Sequence, residues 1–138
     1  MQHDCKLIDG ENLYLATGGM ANVKYFNGEA AYSTDTYVLG AKEDICPKFM
    51  YYVLLFLKQY IDINYFQGSG LKHLQKKEFK HHEIVIPKSK DEQQRIADAL
   101  SKLDDSLSQT QSLIDKYELI KRGLMQDLLT FGIDNEGN

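Results

Sequence analysis

Gly68-Ser69-Gly70 runs directly into Lys72, His73, Gln75, Lys76 and Lys77, and nowhere else do the residue types suit contact with a partner so well. Lysine ammonium groups neutralise phosphates, while His73 and Gln75 carry donors and acceptors of the kind that meet base edges. Ser69, Lys72, His73, Gln75, Lys76 and Lys77 are therefore the leading candidates for contact with a nucleic acid, set against the plainer reading of a solvated basic loop. Residues 71–90 hold six lysines (Lys72, Lys76, Lys77, Lys80, Lys88, Lys90) against Glu78 and Glu83, with His73, His81 and His82 among them. A local basic patch on a chain of net charge −4 is compatible with a docked polyanion. Lys24 and Tyr25 are secondary candidates, for which hairpin packing is the competing role.

Other chemistry finds little support. Gly18-Gly19 reads as a tight turn and matches neither a P-loop nor a dinucleotide fingerprint. His81 and His82 would point to opposite faces of a strand, so they do not share a metal. The histidines and cysteines lack zinc spacing, and Cys5 and Cys46 form no CxxC pair, so two free thiols in a reducing compartment are expected. Asp104 and Asp105 lie about 100° apart around a helix and read as a solvated face. No Ser-His-Asp order, HExxH or paired acid and base stands out. The expectation is a chain without catalytic residues, metal or cofactor.

These candidates need elements to hold them. With 138 residues, 43% hydrophobic and 26% charged, the chain suits one modest folded domain, or a small domain plus an extended helix. There is no apolar run of membrane-spanning length and the first residues lack a signal-peptide pattern, so a cytoplasmic protein is expected. Acidity concentrates late: residues 1–90 carry 11 Lys and 10 Asp/Glu, residues 91–138 only 5 Lys/Arg against 10 Asp/Glu.

Strands are expected at Leu13–Thr17, Asn22–Phe26, Ala30–Ser33 and Thr36–Leu39. Asn27-Gly28 signals a two-residue hairpin, because both turn positions favour positive φ. Pro47 opens a helix whose Phe49, Tyr52, Val53, Phe56, Leu57 and Tyr60 recur at helical spacing, a face expected to cover the sheet. A short helical turn is expected within Leu71–Lys80, then a strand at His82–Ile86 closed by Pro87.

Ser89-x-x-Glu92 matches a capping box, and from there to Thr130 no proline interrupts. Ile96, Leu100, Leu103, Leu107, Thr110, Ile114, Tyr117, Lys121, Leu124 and Leu128 fall on heptad a and d positions, with Leu113 and Ile120 widening the stripe. A helix of about 40 residues spans roughly 60 Å, more than the preceding module can cover. An apolar seam of that length calls for a second helix, from another copy or a partner. Ile96, Leu100, Leu103, Leu107, Ile114, Tyr117, Leu124 and Leu128 are its candidate interface residues. The fold class expected is α+β, a small sheet-containing module followed by one long helix.

Two stretches carry a family resemblance: Ile86-Pro87 through Glu92-Gln93, Ile96-Ala97, Leu100 and Leu103-Asp104, and later Lys121-x-Gly123-Leu124-Met125-Gln126-x-Leu128-Leu129-Thr130. Together they resemble the specificity subunit of type I restriction-modification systems, over nearly the whole chain. Ala16-Thr17-Gly18-Gly19, Ser33-Thr34-Asp35-Thr36 and Gly68-Ser69-Gly70 resemble its target-recognition domain. The resemblance implies a partial recognition domain at 1–88, a spacer helix at 89–131 and a disordered tail at 132–138. It implies a subunit that does no chemistry, reads double-stranded DNA, and binds methyltransferase (modification) subunits and through them the restriction subunit. S-adenosylmethionine and ATP would be used by those partners. In that family two long helices pack antiparallel, so a chain with one helix implies a homodimer. The rival expectation is an interaction module that no longer binds DNA and pairs or competes with specificity subunits through its helix.

Overall fold

The structure, a computed structural model, describes residues 6–133. His3, Cys5 and, apart from Gly132 and Ile133, the expected tail lie outside the described residues. The chain is α+β and divides into two units, residues 1–98 and residues 99–138.

The first unit begins with an antiparallel ribbon. β1 (Lys6–Ile8) and β2 (Glu11–Ala16) run against β4 (Ala30–Tyr32) and β3 (Val23–Asn27). Ile8 faces Ala30 and Glu11 faces Asn27, so the register carries through both ladders without a slip. The ribbon breaks at Asp9-Gly10 opposite Gly28-Glu29. Gly10 and Gly28 have φ of +94° and +136°, and the Gly28 N–H donates to the Gly10 carbonyl at 3.2 Å. This corrects the expected hairpin at Asn27-Gly28. The glycine's positive φ serves a kink within the ribbon, and the reversal falls at residues 17–22, where the Ala16 N–H donates to the Asn22 carbonyl at 3.0 Å. The physical reason is the strand pattern. Leu13 and Leu15 pair with Tyr25 and Val23, which builds one apolar face.

β5 (Thr36–Gly40) joins the other edge of β2, giving the order β3-β2-β5. Alternation sets Leu13, Leu15, Val23, Tyr25, Tyr37 and Leu39 on the face that packs with the helices. Tyr14, Lys24 and Val38 form a cross-strand row on the opposite face.

α1 (Pro47–Phe56) and α2 (Lys58–Tyr65) supply Leu54 and Ile61 to the core. Pro47 stands at the start of α1, where no N–H is needed. The apolar spacing predicts a single helix here; the structure breaks it at Leu57, whose φ/ψ of −83°/0° leaves the helical region. The break changes which residues are buried. Phe56 and Tyr60 are exposed at 87% and 47%, and Leu54 and Ile61 take the core positions instead.

β6 (Phe66–Gln67) and β7 (His73–Leu74) form a short antiparallel pair, followed by α3 (Lys76–Lys80), which buries Phe79. The expected strand at His82–Ile86 does not form. Ile84 and Ile86 are half-buried and alternate with exposed Glu83 and Val85, so the period-two pattern is real. Among the described residues no strand lies beside it to complete a ladder.

α4 runs from Lys90 to Phe131. The Glu92 N–H donates to Ser89 Oγ at 3.4 Å, one half of the expected capping box. Its first turns belong to the core: Ala97 is buried with Cys46 and Phe49, and Ile86, Ile96, Tyr52 and Val53 pack around them. Gly132, with φ of +75°, closes the helix by donating its N–H to the Leu128 carbonyl at 3.0 Å.

Candidate nucleic-acid interface

The two glycine motifs meet in space. Gly18 and His73 form an isolated antiparallel bridge. The Gly19 N–H donates to the Lys72 carbonyl and the Leu74 N–H to the Thr17 carbonyl, each at 2.8 Å. On the other side β7 is paired with β6, and the Gln75 N–H donates to the Tyr65 carbonyl at 2.7 Å. The segment after Gly68-Ser69-Gly70 is thus held from both sides. Alternation then buries Leu74 and turns His73 outward.

Gly68 makes this path possible. Its φ is +150°, and a Cβ there would meet the Leu71 carbonyl oxygen at 2.6 Å, so only glycine fits without rearrangement. Gly18, Gly19, Ser33, Asp35, Thr36, Leu71 and His73 line an open cleft of about 470 Å³. Asp35 in this lining opposes a phosphate there and favours a hydrogen-bond donor, while His73 can donate or accept.

Lys72, Lys76 and Lys77 are exposed beside this cleft's rim segment, as is Ser69. Among the described residues none of Lys72, Lys76, Lys77 and Lys80 lies within 4.0 Å of a carboxylate. Gln75 is half-buried and its amide donates to the His73 carbonyl at 3.2 Å, so it braces the segment.

The secondary pair separates. Lys24 is exposed on the uncovered sheet face, opposite Tyr14. Tyr25 lies on the helix-covered face, where its ring sits 6.1 Å from that of Tyr51 and its hydroxyl donates to Glu11 Oε1 at 2.7 Å. Burial, and then the hydrogen bond and charge of Glu11, push the Tyr25 phenol up to about 12. Adjacent strand residues point apart, so the structure does not bring these two together.

His82 also has a structural partner: Tyr65 Oη and His82 Nδ1 are 2.7 Å apart. Among the described residues no group of three or more His, Cys, Asp or Glu is placed to hold a metal. No helix among them is long and apolar enough to cross a membrane.

Sequence reasoning overlooked the role of Gln93. It is 1% exposed, its Oε1 accepts the Cys46 N–H at 2.9 Å, and its Nε2 donates to the Pro87 carbonyl at 2.8 Å and to the Asp44 carbonyl at 3.4 Å. One carboxamide thereby ties the start of α4 to the start of α1. The Glu-Gln pair at the helix start was the available signal, but a glutamine there also reads as solvated capping.

In the second unit every residue from Lys102 to Ile133 is exposed. Of the seam candidates, Ile96 packs on the first unit's cluster and Leu100 is half-buried, whereas Leu103, Leu107, Ile114, Tyr117, Leu124 and Leu128 stand open, Leu107 at 68%. Thr110 Oγ1 donates to the Ser106 carbonyl at 2.9 Å, so its hydroxyl is satisfied within the helix.

A family model described as the type I restriction modification DNA specificity domain matches residues 2–118. The type I restriction enzyme MjaVIII specificity subunit of Methanocaldococcus jannaschii is 28% identical over 130 residues, covering 93% of this chain. The chain spans 30% of that relative's length.

Proposed function

Because the chain belongs to the family of type I restriction-modification DNA specificity domains, we propose that it is a non-catalytic DNA-recognition and assembly subunit whose reading element is the Lys72–Lys77 segment braced on Gly18-Gly19. The observation that carries this is the pair of 2.8 Å backbone bonds pinning that segment, whose lysines and Lys80 have no carboxylate partner among the described residues. Lysines at such a site hold the phosphate backbone and set register; they carry no sequence information. His73 and Asp35, in one cleft, supply the base-reading chemistry. A carboxylate accepts from the cytosine exocyclic amine, and imidazole meets a purine edge.

The open stripe of α4 supports the assembly half of the reading. Aligned antiparallel about Ser112, two copies set Leu100 against Leu124, Leu107 against Tyr117 and Thr110 against Ile114. A parallel in-register pair would instead set Lys121 against Lys121 within the seam, which like charges oppose. The antiparallel homodimer is therefore the favoured self-pairing, and it offers methyltransferase subunits a two-fold scaffold. Double-stranded DNA and the methyltransferase subunit are the partners this reading requires.

Selection from a random-sequence duplex pool tests the recognition half. The reading expects enrichment of a defined sequence, lost when His73 and Asp35 are replaced by Ala and Asn. The same exposed stripe favours one rival, a helix-pairing module that no longer reads DNA. Retention of no duplex, with self-association intact, would establish that rival.

A further inference from the structure

α3 carries two lysines one turn apart, and both reach over a single aromatic ring. Lys76 Nζ lies 5.6 Å and Lys80 Nζ 5.8 Å from the Tyr37 ring centroid. Residues four apart on a helix are neighbours, and like charges at that spacing repel. The negative face of the ring attracts each ammonium and offsets part of that repulsion. Phe79 holds the arrangement in place: it is buried, and its ring meets Tyr37 edge-on at 6.3 Å and Tyr65 at 5.8 Å. Neither ammonium is within 4.0 Å of a carboxylate among the described residues.

We infer that Lys76, Lys80 and Tyr37 form a clamp for one backbone phosphodiester of duplex DNA, with Tyr37 as the positioning residue. The clamp rests on the DNA-binding reading above and adds Lys80 and Tyr37 to it. Both ammonium groups lie within 5.8 Å of one ring centroid and, among the described residues, neither has a carboxylate within 4.0 Å, so each can give a donor to one anion at the ring. A phosphodiester has two free oxygens, one for each. An ammonium is a compact charge with rotatable donors, which suits a phosphate and gives no base selectivity. The like-charge pair is unfavourable while empty and relieved when an anion sits between its members. That is the behaviour of a binding element; a lysine pair serving stability alone would gain from an acidic neighbour.

Fluorescence anisotropy with a short random-sequence duplex, over a series of salt concentrations, tests the clamp. Each phosphate neutralised contributes about 0.9 to the slope of log affinity on log salt. Because the two lysines share one phosphate, K76Q/K80Q lowers the slope by about 0.9, whereas K80Q alone weakens affinity and keeps most of the slope, since Lys76 still neutralises that phosphate. Y37F keeps the ring and the wild-type slope; Y37L moves toward the double variant. K80Q is a surface change and folds whatever Y37L does. If K80Q leaves slope and affinity unaltered while K72Q/K77Q still lowers both, the clamp is wrong and the DNA reading stands. Absence of salt-dependent duplex binding by the wild-type chain overturns both. Binding of polyglutamate at this site with no duplex binding overturns the phosphate assignment in favour of an acidic protein surface.

Discussion

The carboxamide oxygen of Gln93 accepts the backbone N–H of Cys46 at 2.9 Å, linking the first turn of α4 to the residue that precedes α1. Cys46 is the N-cap of α1, where the helix supplies no partner for its N–H, and Gln93 satisfies it. Replacing Gln93 by Leu keeps the volume but strands that N–H and the Pro87 carbonyl. Each buried unsatisfied group costs about 1–3 kcal/mol, so a loss of roughly 2–6 kcal/mol is expected by urea denaturation. Gln93→Glu loses the donor as well and buries a charge, so it recovers stability as pH falls and the carboxyl protonates.

Gly68→Ala probes the loop before the basic segment. The new Cβ would collide with the Leu71 carbonyl at 2.6 Å, and the positive φ adds strain. A cost of about 1–3 kcal/mol follows from holding a non-glycine residue there. Duplex affinity should fall with it. Gly70→Ala has open space around its Cβ and should change neither quantity.

The Leu107→Asp/Ile114→Asp double variant tests the stripe on α4. Both side chains are exposed in the single chain, so its fold should survive, and far-ultraviolet circular dichroism should keep its helical signal. Sedimentation should show that self-association is lost. An unchanged dimer would mean that a different surface joins the copies.

Tyr25 gives a pH dependence with a definite sign. Its folded pKa is raised to about 12 from the ordinary tyrosine value of 10.0. The folded state thus holds the phenolic proton more tightly. Its contribution to stability is complete below pH 10 and is lost as pH rises through 12. The alkaline fall in stability of Tyr25→Phe should therefore be shallower than that of the wild type over this window.

The parts legible in the sequence were those set by local pattern. The Ser89 cap on the Glu92 N–H, the unbroken apolar spacing of α4 and the proline at the start of α1 all act within one or two turns. Asn27-Gly28 misled because positive φ is needed both by a hairpin turn and by a kink in a ribbon; the partner strand decides between them, and it lies far away in sequence. His82–Ile86 has a strand's alternation, but a ladder also needs a neighbour, which no local pattern supplies. The break at Leu57 exposes Phe56 and Tyr60, so apolar spacing alone chose the wrong members of the buried face. For the candidate site, the basic run was visible as composition. Its bracing on Gly18-Gly19 and the convergence of two lysines on Tyr37 are contacts between distant segments.

Charge on the Lys72–Lys77 segment is proposed to hold duplex DNA. The most direct test is the affinity of the wild-type chain and of the Lys72→Gln/Lys76→Gln/Lys77→Gln variant for one duplex, from low to physiological salt. Wild-type binding in the micromolar range or tighter is expected, weakening steeply with salt, with a variant that scarcely binds at any salt. Equal affinities for the two proteins, or no wild-type binding at the lowest salt, would contradict it.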